Sequence, residues 1–213
     1  MAPMAPASPA HPSPFPIGAP ADGLALAYAN TRYWRGSPAQ TETLGSCADW
    51  LKWIADNLGY PADALQGIGL WAEQQPAQAA GLFDAALTLR EALFRAFSAQ
   101  AAGQPVADAD LALLNRFLAT APPRNVLVAT GSGYAWRGGA LVPAVPDLLA
   151  PVLWSAADLI ARGAQRRVRQ CANPKCLWLF IDQSKSGTRR WCDMGACGNR
   201  AKAQRHYLKS KGA

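Results

Sequence analysis

The chain has 213 residues, half of them apolar, a formal charge of +7 and five cysteines. That is enough for one sizeable core plus a small appendage, whereas the most apolar late stretch, 139–161, is broken by Pro143, Pro146, Asp147, Pro151 and Asp158 and does not read as a membrane span. Residues 1–165 hold 9 Lys/Arg against 12 Asp/Glu and residues 166–213 hold 12 against 2, so the basic character belongs to the C-terminal module. A local excess of this kind is the electrostatic footprint of a nucleic-acid binder or a solvated tail.

Residues 1–16, MAPMAPASPAHPSPFP, alternate proline with small side chains and predict a disordered tail. They lack the basic start and continuous apolar run of a secretory signal, so a cytoplasmic protein is expected. In the polar run Asn30, Thr31 and Arg32, capping or a buried hydrogen bond outweighs a ligand site. Ser46 with Asp49 resembles a capping box ahead of Leu51, Ile54, Ala55 and Leu58, which Gly59 ends. Leu82, Ala86, Leu89, Leu93 and Phe97 form a longer helical stripe, and Asp108 can cap a segment carrying Leu111, Leu114 and Leu118. From Asn125, NVLVATGSGYAWRGGALV predicts two or three antiparallel strands with GSG as a turn. Asp147 can then cap a helix with Leu149, Val152, Ala156 and Ile160 on one face. The expected fold class is therefore α+β. A mostly helical N-terminal domain with a small antiparallel sheet, residues 17–165, precedes a C-terminal module, residues 166–213.

That module holds Cys171 and Cys176, and Cys192 and Cys197, each pair enclosing four residues. Two thiol pairs on short turns, separated by a segment long enough to fold back, suit tetrahedral Zn²⁺. A disulfide framework and an iron–sulfur cluster are the competing readings: the first needs an oxidising compartment, and the second usually has tighter, asymmetric spacings. With four thiolates no coordination position stays open, so a zinc here is structural. Cys47 reads as a core residue. LWLFID alternates as a strand does, QSKSG supplies a turn, and TRRW is expected to return as its hairpin partner. A helix follows, with Lys202, Arg205 and Lys209 on one face.

The residues CANPKC, LWLFID, TRRWC and CGNRAKAQRHY resemble the CGNR zinc finger, named after the run formed here by Cys197, Gly198, Asn199 and Arg200. LALAYANTR and LTLREALFRAF are similar to segments of the ABATE domain, which precedes this finger in a bacterial family described as stress-induced transcription regulators. That family commonly has an acidic residue where this chain has Ala27. The resemblance implies one structural zinc and a regulator of transcription. The expected DNA contacts are Arg189, Arg190, Arg200, Lys202, Arg205 and Lys209, with the N-terminal domain as sensor or dimerisation unit. It admits a small-molecule effector and a homodimer, and involves no membrane. The alternative is a zinc-finger adaptor for protein or RNA, whose N-terminal domain binds a small molecule or partner. No catalytic residues are expected: two histidines, one in the tail and one on a basic helix, give no usable constellation.

Overall fold

The computed structural model describes residues 15–163 and 167–211, and of 204–206, 208, 209 and 211 the backbone alone. Strand β1 (Pro16–Ile17) leads to helix α1 (Leu24–Ala29) and a two-stranded ribbon, β2 (Arg32–Tyr33) with β3 (Thr41–Glu42). Helices α2 (Cys47–Leu58), α3 (Ala62–Gln74), α4 (Pro76–Ala101) and α5 (Asp108–Thr120) follow. Next come β4 (Leu127–Thr130), β5 (Gly133–Arg137), α6 (Val145–Leu148) and α7 (Ala150–Arg162). The C-terminal module adds β6 (Val168–Gln170), β7 (Leu179–Ile181), a π-type turn (Met194–Gly198) and α8 (Asn199–Lys211). Among the described residues no helix is long and apolar enough to cross a membrane.

The local chemistry accounts for most of these elements. Ser46 Oγ accepts from the Asp49 N–H at 3.1 Å and donates to the Asp49 carboxylate at 2.8 Å, and Gly59 ends α2 at φ 68°. Ala86, Leu89, Leu93 and Phe97 are buried along α4 as their spacing requires. On α2 the buried side chains are Trp50, Ile54 and Leu58, whereas Ala55 faces solvent. Pro151, near the start of α7, can join the helix because the first turn needs no N–H from it. The expected single helix from Asp147 is thus two, α6 and α7, meeting at Leu149. Strands β1, β5 and β4 form one antiparallel sheet in that order.

Two further expectations need correction. The tail was expected through residue 16, but Phe15 is buried against the core and Pro16 and Ile17 pair with Arg137 and Trp136; residues 1–14 lie outside the described residues. In the C-terminal module the partner of β7 is not TRRW but β6, with Val168 opposite Ile181 and Gln170 opposite Leu179. The alternation of LWLFID fixes a strand but says nothing about which neighbour completes its ladder.

Helix α1 packs against α4, α7 and β7. Five of its six residues are buried, and Tyr28 donates to the Ala86 carbonyl oxygen at 2.9 Å while Ser155 Oγ accepts from the Ala25 N–H at 3.1 Å. Val168 and Leu179 of the C-terminal hairpin belong to the same continuous core as α1, α4 and α7. The hairpin is thus a layer of the main core, and among the described residues the cysteine cluster forms a separate one.

The β2–β3 ribbon is pinned to α4 by buried charge. Arg90, 2% exposed, makes two bonds to the Glu42 carboxylate at 2.6 and 2.7 Å and one to Glu91 at 3.0 Å. Arg35 pairs with Glu91 at 2.6 Å and lies 3.9 Å from the Phe94 ring centroid. Fork-to-carboxylate geometry of this kind fixes orientation as well as distance.

Candidate metal centre

The first cysteine pair is set by a tight turn at the tip of the β6–β7 hairpin. The Cys171 N–H donates to the Trp178 carbonyl oxygen at 2.8 Å, the Cys176 N–H donates to that of Asn173 at 2.9 Å, and Asn173 Oδ1 accepts from the Lys175 N–H at 3.0 Å. Leu177 takes a left-handed φ of 58° to bring the chain back into β7. The second pair arrives on a separate segment, tied to the first by the Ala172 N–H donating to the Arg190 carbonyl oxygen at 2.8 Å. Asp193 accepts from the Ala196 N–H and so starts the turn that delivers Cys197. Asp182 shapes the intervening loop by accepting from the Ser184 hydroxyl at 2.6 Å and the Arg189 N–H at 2.9 Å. These donors, the Ser184 hydroxyl first, hold its carboxyl below the usual range.

The four sulfurs of Cys171, Cys176, Cys192 and Cys197 lie within 4.8 Å of one another. Cys176 and Cys192 are 3.7 Å apart and Cys192 and Cys197 are 3.8 Å apart. Four ligands at the usual Zn–S distance of about 2.3 Å around a tetrahedral ion have sulfur–sulfur edges of about 3.8 Å. A disulfide needs about 2.05 Å, and all four cysteines are free thiols. Burial pushes the Cys176 thiol up to about 12 and raises Cys192 further, each thiolate also opposing its neighbours. Burial pushes Cys171 up as well, but hydrogen bonds from the Cys192 and Asn173 backbone and from the Cys192 and Cys197 thiols together hold it below its ordinary value. Thiols so placed ionise together only around a cation. Asn173 Nδ2 lies 3.5 Å from Cys197 Sγ, a weak donor to one of the ligands. The donor set, its edges and its closure fit one structural zinc.

Two indoles flank the sulfurs. Trp191 comes from the motif itself, and Trp34 comes from the β2–β3 ribbon of the N-terminal domain. Trp34 holds a left-handed φ of 55°, and the Arg200 guanidinium carbon lies 4.8 Å from its ring centroid. Two residues on, Gly36 is required: a Cβ there would run into the carbonyl oxygen of Pro174 in the first cysteine turn. Tyr33 meets Trp178 edge to face, with centroids 6.2 Å apart. Sequence reasoning passed over Trp34 and Gly36, and an indole two residues before a glycine in a polar loop was the only available signal.

The structure separates the basic residues by role. Arg189 donates to the Trp191 carbonyl oxygen at 2.8 Å and to that of Cys192, and lies over the Phe180 ring at 4.8 Å. Its guanidinium braces the second cysteine segment. Arg190, Arg200 and Lys202 are exposed. Arg205 and Lys209 lie on α8, and their side chains fall outside what is described. His206 is in the same position.

A closed four-thiolate centre on a hairpin-and-helix module, built into a mostly helical domain, defines a zinc-finger protein whose metal holds structure. Residues 167–210 match the CGNR zinc finger, and residues 22–163 match the ABATE family, described as "Putative stress-induced transcription regulator". The chain belongs to the ABATE family. No curated protein matches it.

Proposed function

We propose that the protein is a zinc-dependent DNA-binding regulator of transcription, with α8 and the exposed arginines of the finger as the contact surface. The observation that carries this reading is the state of α8. Its sequence holds Arg200, Lys202, Arg205, Lys209 and Lys211 with no acidic residue, and none of the described core residues lies on it. A helix whose charged residues are all basic suits a polyanionic groove or backbone. Arg190 joins the contact set. Arg189 stays in it too: two of its N–H groups meet backbone carbonyls, and this exposed residue has others to offer a phosphate.

The N-terminal domain acts as sensor or dimerisation unit, and the chain is a binding protein with no enzymatic role. A cleft of about 390 Å³, bounded by Trp136, Arg124, Ser155, Asp158 and Arg162, supports the sensor reading. The second reading, an RNA or protein adaptor, is favoured by Trp178 and Tyr207, 37% and 55% exposed, which could offer stacking faces.

Duplex binding measured against salt decides between them. Each phosphate neutralised contributes about −0.9 to the log–log slope, so changing Lys202, Arg205 and Lys209 together to alanine reduces the slope by up to about 2.7 with zinc content unchanged. If this variant binds duplex DNA as tightly as the parent at every salt concentration, α8 is not the contact surface and the adaptor reading replaces this one.

A further inference from the structure

We propose that Trp34, in the N-terminal domain, is a positioning residue of the finger: it closes one side of the zinc centre and sets the place of Arg200 at the root of α8. The zinc part stands on geometry alone, and the Arg200 part rests on the DNA-binding reading above.

Three observations converge on the β2–β3 turn. The Trp34 ring packs against the buried cysteine cluster. Trp191, close to Gly198, packs on the same cluster, so two indoles from segments far apart in sequence meet the sulfurs. Next, the turn is seated on the first cysteine turn with no room to spare, since Gly36 meets the Pro174 carbonyl oxygen where any side chain would stand. Finally, Arg200 directly follows the CGN of the motif and rests on the Trp34 ring at 4.8 Å. A guanidinium over an indole face is held in orientation while its N–H groups stay free for an anion.

The turn is a rigid support. Arg35, next to Trp34, is fixed by Glu91 and Phe94, and Glu42 at the far strand is fixed by Arg90. Holding Trp34 at φ 55° is unfavourable for a residue with a side chain, and the packing of the ring is what retains it. Two effects follow from this placement. The indole keeps water and competing ligands from the thiolates on its side, as groups surrounding a metal site generally do. It also anchors the first turn of α8 to the helical domain through Arg200.

The test uses the full chain. Trp34→Gly removes the ring while favouring the left-handed backbone, so the turn survives. Trp34→Phe restores an aromatic face, and Gly36→Ala keeps the ring but lifts the turn from Pro174. Starting from protein holding one zinc per chain, transfer to the chelator 4-(2-pyridylazo)resorcinol should be about tenfold faster for Trp34→Gly and Gly36→Ala. For Trp34→Phe it should lie within about threefold of the parent. Equal rates for parent and Trp34→Gly overturn the assignment.

In the second arm, duplex affinity at low salt should fall about two- to fivefold in Trp34→Gly, in proportion to a lost cation–π contact. The double variant with Arg200→Ala should bind no more weakly than Arg200→Ala alone. Additive losses overturn the claim that Trp34 acts through Arg200. If the parent binds no duplex DNA, the regulator reading fails, and the zinc-transfer rates alone decide the role of Trp34.

Discussion

Asn30 completes the edge of a strand that begins 149 residues later: its Nδ2 donates to the Leu179 carbonyl oxygen at 2.8 Å, and its Oδ1 accepts from the Leu179 N–H at 3.0 Å. One side-chain amide thus satisfies both backbone groups of a residue that is 1% exposed. Asn30→Ala leaves a buried donor and a buried acceptor unpaired, at about 1–3 kcal/mol each with partial recovery by water. The expected loss is about 2–4 kcal/mol in urea unfolding. A loss below about 0.5 kcal/mol would show that the hairpin is not held at this point.

Because Val168 and Leu179 share the core of α1, α4 and α7, the helical domain is not expected to stand alone. A protein truncated after Gly163 exposes the apolar faces these residues cover, and should lose its cooperative unfolding transition. Replacing Cys176 by serine in the full chain should release the zinc and lower the midpoint of the whole molecule, instead of producing a separate early transition. Calorimetry distinguishes the outcomes. Two well-separated transitions in the parent would contradict the shared core.

Arg90 is the deepest charge in the N-terminal domain, paired with Glu42 and Glu91 and also 3.3 Å from Thr31 Oγ1. Arg90→Met leaves Glu42 without its cation and Glu91 with Arg35 alone, with an expected cost of about 2–4 kcal/mol because Glu42 keeps partial access to water. Glu42→Gln should cost less, since Arg90 keeps Glu91. Equal costs in denaturant titrations would mean that the network acts through packing alone.

Asp147, half-buried in α6, has its carboxyl pushed up to about 6 by burial. An unfolded aspartate titrates near 3.9, so the native chain binds the proton more tightly. The stabilisation this affords is complete below about pH 4 and is lost as pH rises through about 6. Asp147→Asn should therefore be more stable than the parent at pH 7, by about 1–2 kcal/mol after allowance for solvent screening, and the difference should close at pH 4. A gap that persists unchanged at pH 4 would assign the effect to something other than titration.

The metal centre was the most legible part of the sequence because thiols are scarce and their spacing is a chemical requirement. The Ser46 cap, the Gly59 stop and the α4 stripe are local signals and were readable for that reason. Helix α3 was not anticipated, since Pro61, Gly67 and Gly69 give its segment the look of a loop. Asn30 and Thr31 were read as capping or buried hydrogen bonds. They are that, Thr31 donating to the Tyr28 carbonyl oxygen at 2.8 Å, but that Asn30 reaches Leu179 could not be read from its neighbours. The pairing of β6 with β7, and the arrival of Trp34 beside the cysteines, are long-range matters that local patterning does not encode.

The core shared between the helices and the finger's hairpin also orders events in time. The ribosome finishes α7 well before the finger emerges, and the residues of the finger, 167–210, take about 2–9 s to add at ordinary rates. During that interval the faces of α1 and α4 that Val168 and Leu179 will cover stay wet, and a chaperone or protease can reach them. The interval closes when four thiols that resist ionising together find a metal ion. Zinc supply at the moment of synthesis thus bears on how much of this protein outlives its own translation, before any question of what it binds.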